Sequence, residues 1–194
     1  MGSIAVDAAR RTGDRPTLIH TLKTSLWHGL TPDLATVQLA RSTELARLCT
    51  EAGDREIFSV ASFHRAIVSY LAGRPDDLVE AMTDLRRAAE SLGQPWHTYF
   101  AGCLTQGRAF CQGDFAQAEQ RAAATLQLGQ AFGVDSTEGS YGVQMFMIHR
   151  ETGRLDVARR HLTGRETFAG RWVAVLLPRL PRSTRTAPPS GARS

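Results

Sequence analysis

The chain is poor in cysteine: Cys49, Cys103 and Cys111 are the only three in 194 residues. An odd number cannot all pair within one chain, and without a CxxC spacing neither a zinc ribbon nor a thioredoxin-type redox pair is encoded. The three thiols therefore read as reduced and buried. No window reaches the roughly 18 apolar residues that a membrane span needs. The first residues, Met-Gly-Ser-Ile-Ala-Val-Asp, lack the basic and then apolar regions of a secretory signal. These absences place the expectation in the cytoplasm.

Catalytic motifs are missing as well. There is no GxxxxGK[ST] run to cradle phosphate, no HExxH pair, no cyclase-type pair of metal-binding carboxylates and no DNA-reading helix-turn-helix. Histidines stand at 20, 28, 64, 97, 149 and 161 without a close metal-ligand pair, so no metal or other cofactor is expected. No local motif sets a Ser or Cys against a base and an orienting third group. The chain reads as non-enzymatic.

Acidic residues are absent from the last 24 positions, which hold Arg171, Arg179, Arg182, Arg185 and Arg193. The formal charge of +4 and pI near 9.4 come from that Pro-rich tail, and the remainder carries 18 basic against 19 acidic residues. A nucleic-acid footprint clusters on a folded face, so the folded body is not expected to bind nucleic acid.

What the chain does have is a comb of glycines. Gly53, Gly93 and Gly133 recur at 40-residue intervals, Gly73, Gly113 and Gly153 do the same at an offset of 20, and Gly13 extends the first series backwards. Asp33 breaks the comb. Glycine just past a helix accepts the left-handed conformation that closes it, and proline two residues on fits the next helix's first turn. Gly73-Arg-Pro75 and Gly93-Gln-Pro95 fit that pattern. Asp114-Phe-Ala-Gln117 and Asp135-Ser-Thr-Glu138 look like capping boxes.

Between the stops the apolar spacing is helical. Trp96, Tyr99, Phe100, Cys103, Leu104, Phe110 and Cys111 follow one stripe. Leu78, Met82, Leu85, Ala89 and Leu92 form another, leaving Asp77, Glu80, Asp84, Arg87 and Glu90 to solvent. The pattern predicts helices over 16–30, 33–52, 55–72, 75–92, 95–112, 115–132, 136–151 and 155–168. Short turns force antiparallel hairpins, and stacking them buries a continuous core. The expected fold is all-α, a right-handed solenoid of stacked helix hairpins with a 40-residue period.

Gly113-Asp-Phe-Ala-Gln-Ala118 and Gly153-Arg-Leu-Asp-Val-Ala158, each a glycine followed five residues later by alanine, resemble the centre of a tetratricopeptide repeat. Leu78 replaces that alanine in the first unit, and the period exceeds the 34 residues of standard repeats. Gly93-Gln-Pro-Trp96, Gly113–Glu119, Tyr141–Phe146 and Arg150–Leu155 together resemble the C-terminal helical region of large bacterial signalling ATPases, which carry cyclase-type or LuxR-type output domains. The resemblance spans roughly 15–170 and implies a protein-interaction or ligand-sensing scaffold of a signalling or transcriptional regulator. It carries over packing positions only, and no catalytic residue.

Three segments are expected: an ill-ordered 1–15, a tetratricopeptide-like domain over 16–170, and an Arg/Pro-rich tail over 171–194 that is either disordered or translated out of frame. The alternative function is that of a remnant of a multidomain ATPase-cyclase or LuxR-type regulator whose activity lies in other domains. His64 follows the stripe of Ile57, Val60, Ala61, Ile67, Val68 and Leu71, which favours a hydrogen-bonded core or groove position over a ligand. By analogy with first helices that line a concave face, His64, His97, Tyr141 and Gln144 are the groove candidates. A protein or peptide partner, or a small effector, is the expected occupant.

Overall fold

The structure, a computed structural model, describes residues 2–157 apart from Gly29, Ser136 and Leu155. The expected helix over 155–168, the cap at Asp135–Glu138 through Ser136, and the tail over 171–194 fall wholly or partly outside the described residues. Those described are all-helical: α1 Gly2–Thr12, α2 Arg15–Leu26, a 3-10 turn Pro32–Leu34, α3 Ala35–Ala52, α4 Arg55–Leu71, α5 Pro75–Leu92, α6 Pro95–Cys111, α7 Phe115–Ala131 and α8 Thr137–Glu151. The chain divides after Thr137 into two units. No helix among the described residues is long and apolar enough to cross a membrane.

The glycine comb marks where helices stop. Gly53, Gly73, Gly93, Gly113, Gly133 and Gly153, with Gly13, all have φ between 62° and 76°, which only a residue without Cβ adopts cheaply. Starts are equally local. Pro75 and Pro95 occupy the first turns of α5 and α6, where their missing N–H groups cost nothing. Asp14, Asp54 and Asp114 accept hydrogen bonds from the backbone N–H groups of Thr17, Ile57 and Gln117 at 3.0, 2.9 and 3.0 Å. Each of these aspartates directly follows a comb glycine.

Asp33 breaks the comb because α2 stops early. Pro32 cannot continue a helix and forces the preceding Thr31 into an extended conformation, φ −126° and ψ 153°. The side-chain amide of Gln38, 2% exposed, donates to the carbonyls of Ser25 and His28 at 3.3 and 2.5 Å, satisfying the frayed end of α2. The helix expected to run to residue 30 therefore ends at Leu26.

Residues 1–15 are a correction. Gly2–Thr12 is a helix, and Val6 joins Ile19, Leu22, Leu26 and Leu45 in one core cluster. Arg10 ties it to α3 through an ion pair with Glu44 at 2.5 Å. Hydrophobic burial against α2 supplies what the short helix lacks on its own.

Each helix from α1 to α6 packs on its successor, and α2 also touches α4, as α4 touches α6. The core is broader than single stripes predict. On α6, Tyr99 and Leu104 are buried as expected and so are His97, Gln106 and Ala109, whereas Trp96, Phe100, Cys103 and Phe110 are half-buried. Contact with α4, α5 and α7 spreads burial around that helix. On α5, Asp84 is drawn out of solvent by Arg65. That guanidinium, 8% exposed, reaches Asp84 and Glu80 at 3.1 Å each and pins α4 to α5.

The second unit contains the remainder of α8, on which Met145 and Ile148 are buried.

Candidate functional site

The row formed by α2, α4 and α6 carries the aromatic and histidine side chains. Its helices stay close through specific pairs. Ser59 of α4 meets His97 Nδ1 of α6 at 2.6 Å. Phe63 packs on Phe100 with ring centroids 4.8 Å apart, and Trp27, just past α2, meets His64 edge-on at 4.5 Å. Trp96 lies against both His97 and Phe100, at 3.8 and 5.4 Å. Phe63, Trp96 and Phe100 are half-buried, leaving an aromatic ribbon partly open to solvent.

His64 and His97 are not groove-lining residues. Each is 0% exposed, so the structure corrects their assignment as groove candidates, and of the core or groove position expected for His64 only the core remains. Desolvation holds the His64 imidazole neutral, its pKa lowered to about 4, and neither ring nitrogen has a hydrogen-bond partner among the described residues. Burial likewise lowers the pKa of His97, opposed by the nearby Glu56 carboxylate. Ser59 and His97 have the atom types of a nucleophile and its base, but Ser59 is 1% exposed and His97 Nε2 has no partner among the described residues. The pair joins α4 to α6, with no opening through which a substrate would reach the hydroxyl.

Tyr141 and Gln144 lie on α8 in the second unit, both half-buried.

The thiols divide. Cys49 is buried, and desolvation raises its pKa to about 11, which blunts its reactivity. Cys103 is half-buried and Cys111 is exposed, so the expectation of three buried thiols holds only for Cys49. Cys111 is the last residue of α6, at the open end of a helix whose middle is enclosed. Among the described residues no group of three or more His, Cys, Asp or Glu is placed to hold a metal ion.

Sequence reasoning missed two polar features. Gln38 reads as a surface residue, and its role is visible only once α2 is known to stop short. Arg108 sits in a helix that reads as apolar. Helical spacing to Cys111, three residues on, and Thr105, three before, is the one signal that would have marked a polar strip there.

Compared with family models, with curated proteins and with solved structures, the chain gives no match.

Proposed function

We propose that the chain is a non-catalytic protein-interaction or ligand-sensing scaffold, a tetratricopeptide-like right-handed solenoid with a 40-residue period. In this reading it serves a bacterial signalling or transcriptional regulator. The observation that carries the reading is the direct packing of α2 on α4 and α4 on α6 through Trp27–His64, Ser59–His97 and Phe63–Phe100. Alternate helices drawn together on one side leave that side concave, and stacked helical repeats use such surfaces to bind. The half-buried Phe63, Trp96 and Phe100 supply apolar contact for a peptide, a protein partner or a small effector.

The test is site-specific photo-crosslinking of the full chain in its native cell. A photoreactive residue at Val60, half-buried on α4, yields a discrete adduct, while one at the exposed Arg87 of α5 does not. Equal adducts from both positions, or none from Val60, would overturn the reading. The second reading, a remnant of a larger ATPase-cyclase or LuxR-type regulator, rests on the loss of acidic residues after Gly170. It is checked by translating all frames of the source DNA on both sides of the gene.

A further inference from the structure

Two adjoining cavities, of about 170 and 290 Å³, lie along α5 and α6 and share Val79 and Arg108 as walls. The larger sits where α4 turns into α5, and it is lined in part by Ser69 and Tyr70 of α4, Leu78 and Val79 of α5, and Arg108 and Cys111 of α6. Among the described residues no carboxylate lines either cavity.

The arginines around them are not equivalent. Arg74 is paired with Asp77 at 3.0 Å and Arg86 with Glu90 at 3.1 Å. Arg108 is half-buried and has no ion pair among the described residues. Its charge falls on the Tyr70 phenol, whose own hydrogen bond, to the Leu104 carbonyl, is long at 3.4 Å. Ser69 is 1% exposed, and its hydroxyl has no partner among the described residues. A buried hydroxyl left unpaired costs free energy unless something else meets it.

An apolar wall with a few converging polar groups is the usual composition of a small-molecule site. A guanidinium fork matches the two oxygens of a carboxylate. We infer that the larger cavity binds a small organic acid, its carboxylate on Arg108 and its hydrocarbon body against Leu78 and Val79. A cation without an ion pair among the described residues, beside an apolar wall, suits a monoanion with a hydrocarbon body. Inorganic phosphate, with more charge and no apolar part, would leave that wall unused. The inference goes beyond the scaffold reading and does not depend on it, because the aromatic ribbon of Phe63, Trp96 and Phe100 contributes nothing to these walls.

Cys111, exposed and in the same wall, is a built-in reporter. The experiment alkylates the full chain with iodoacetamide and follows the Cys111 peptide by mass, with buried Cys49 as the unreactive control. The probe is 3-phenylpropionate and its comparison is the neutral 3-phenylpropanamide. The acid slows Cys111 alkylation several-fold, saturating with a dissociation constant on the order of 1 mM for a ligand of this size, and the amide leaves the rate unchanged. Arg108→Gln abolishes the protection, and Arg74→Gln keeps it, with thermal melts confirming that both variants fold. No slowing by the acid, equal slowing by the amide, or protection that survives Arg108→Gln overturns the inference. Should Arg108→Gln fail to fold, the acid against amide comparison on the natural chain decides alone.

Discussion

Trp27 covers His64: the indole and imidazole meet at 88° with centroids 4.5 Å apart, the tryptophan 57% exposed and the histidine wholly buried. The exposed ring is the wall that keeps water from the hidden one.

A pH dependence follows from this arrangement. The folded imidazole titrates near 4 and the unfolded one near 6.5, so falling pH protonates the unfolded chain first. The contribution is present above pH 6.5 and is lost progressively down to about pH 4, amounting to about 3 kcal/mol. Urea midpoints measured across that window fall for the natural chain and flatten for His64→Phe. Trp27→Ala admits water to the imidazole, returns its pKa toward the ordinary value and shrinks the loss. A slope unchanged in His64→Phe would sink this account.

Arg65 is the costliest charge to remove. Its side chain is 8% exposed, and Arg65→Ala strands Asp84, whose carboxyl pKa desolvation already raises against the pull of Arg65. The expected loss is about 3 kcal/mol. Glu80, 65% exposed, contributes far less, and Glu80→Ala stays within about 0.5 kcal/mol of the natural chain. Chemical denaturation of the two variants checks the contrast.

Two helical glycines should respond oppositely to alanine. A methyl at Gly129 would collide with the Thr137 side chain and lie 2.8 Å from Tyr99 Cε2, so Gly129→Ala costs about 1–3 kcal/mol of overpacking. At Gly107 the nearest atom is the Tyr70 hydroxyl at 3.9 Å, and Gly107→Ala stabilises by about 1 kcal/mol through helix propensity. Thermal melts that move in the same direction would refute the packing argument.

Removing the helix cap at Asp54 or Asp114 costs about 1 kcal/mol in each case. Asp54→Ala and Asp114→Ala are compared with Asp54→Asn and Asp114→Asn, which keep an accepting oxygen and most of the stability.

Much of the fold was legible because its boundaries are local. A glycine at positive φ, a proline in the first turn and an aspartate cap each act within four residues of chain, so the limits of α3 to α7 fall within a residue or two of those expected. The α2 boundary failed for the opposite reason. Its end is held by Gln38, more than ten residues away, and helical patterning through Trp27 and Leu30 gives no hint of it. The site was less legible still. Helical spacing puts His64 and His97 on faces that a groove and a core would equally use, and only the arrival of Trp27 over His64, and of Ser59 beside His97, decides for the core. Arg108 and Ser69 share a cavity because α4, α5 and α6 converge at one turn, a relation between segments nearly 40 residues apart that no periodicity encodes.

The left-handed glycines also fix the lengths of the helices they close. Helices α3 to α7 have 17 or 18 residues, and one residue added inside any of them would turn everything beyond it by about 100° about the helix axis. One added in α5 would swing His97 off Ser59, and one added in α7 ahead of Gly129 would swing Gly129 off Tyr99. A residue added to a turn leaves the register of both flanking helices intact, so the turns are where α3 to α7 would absorb a change of length.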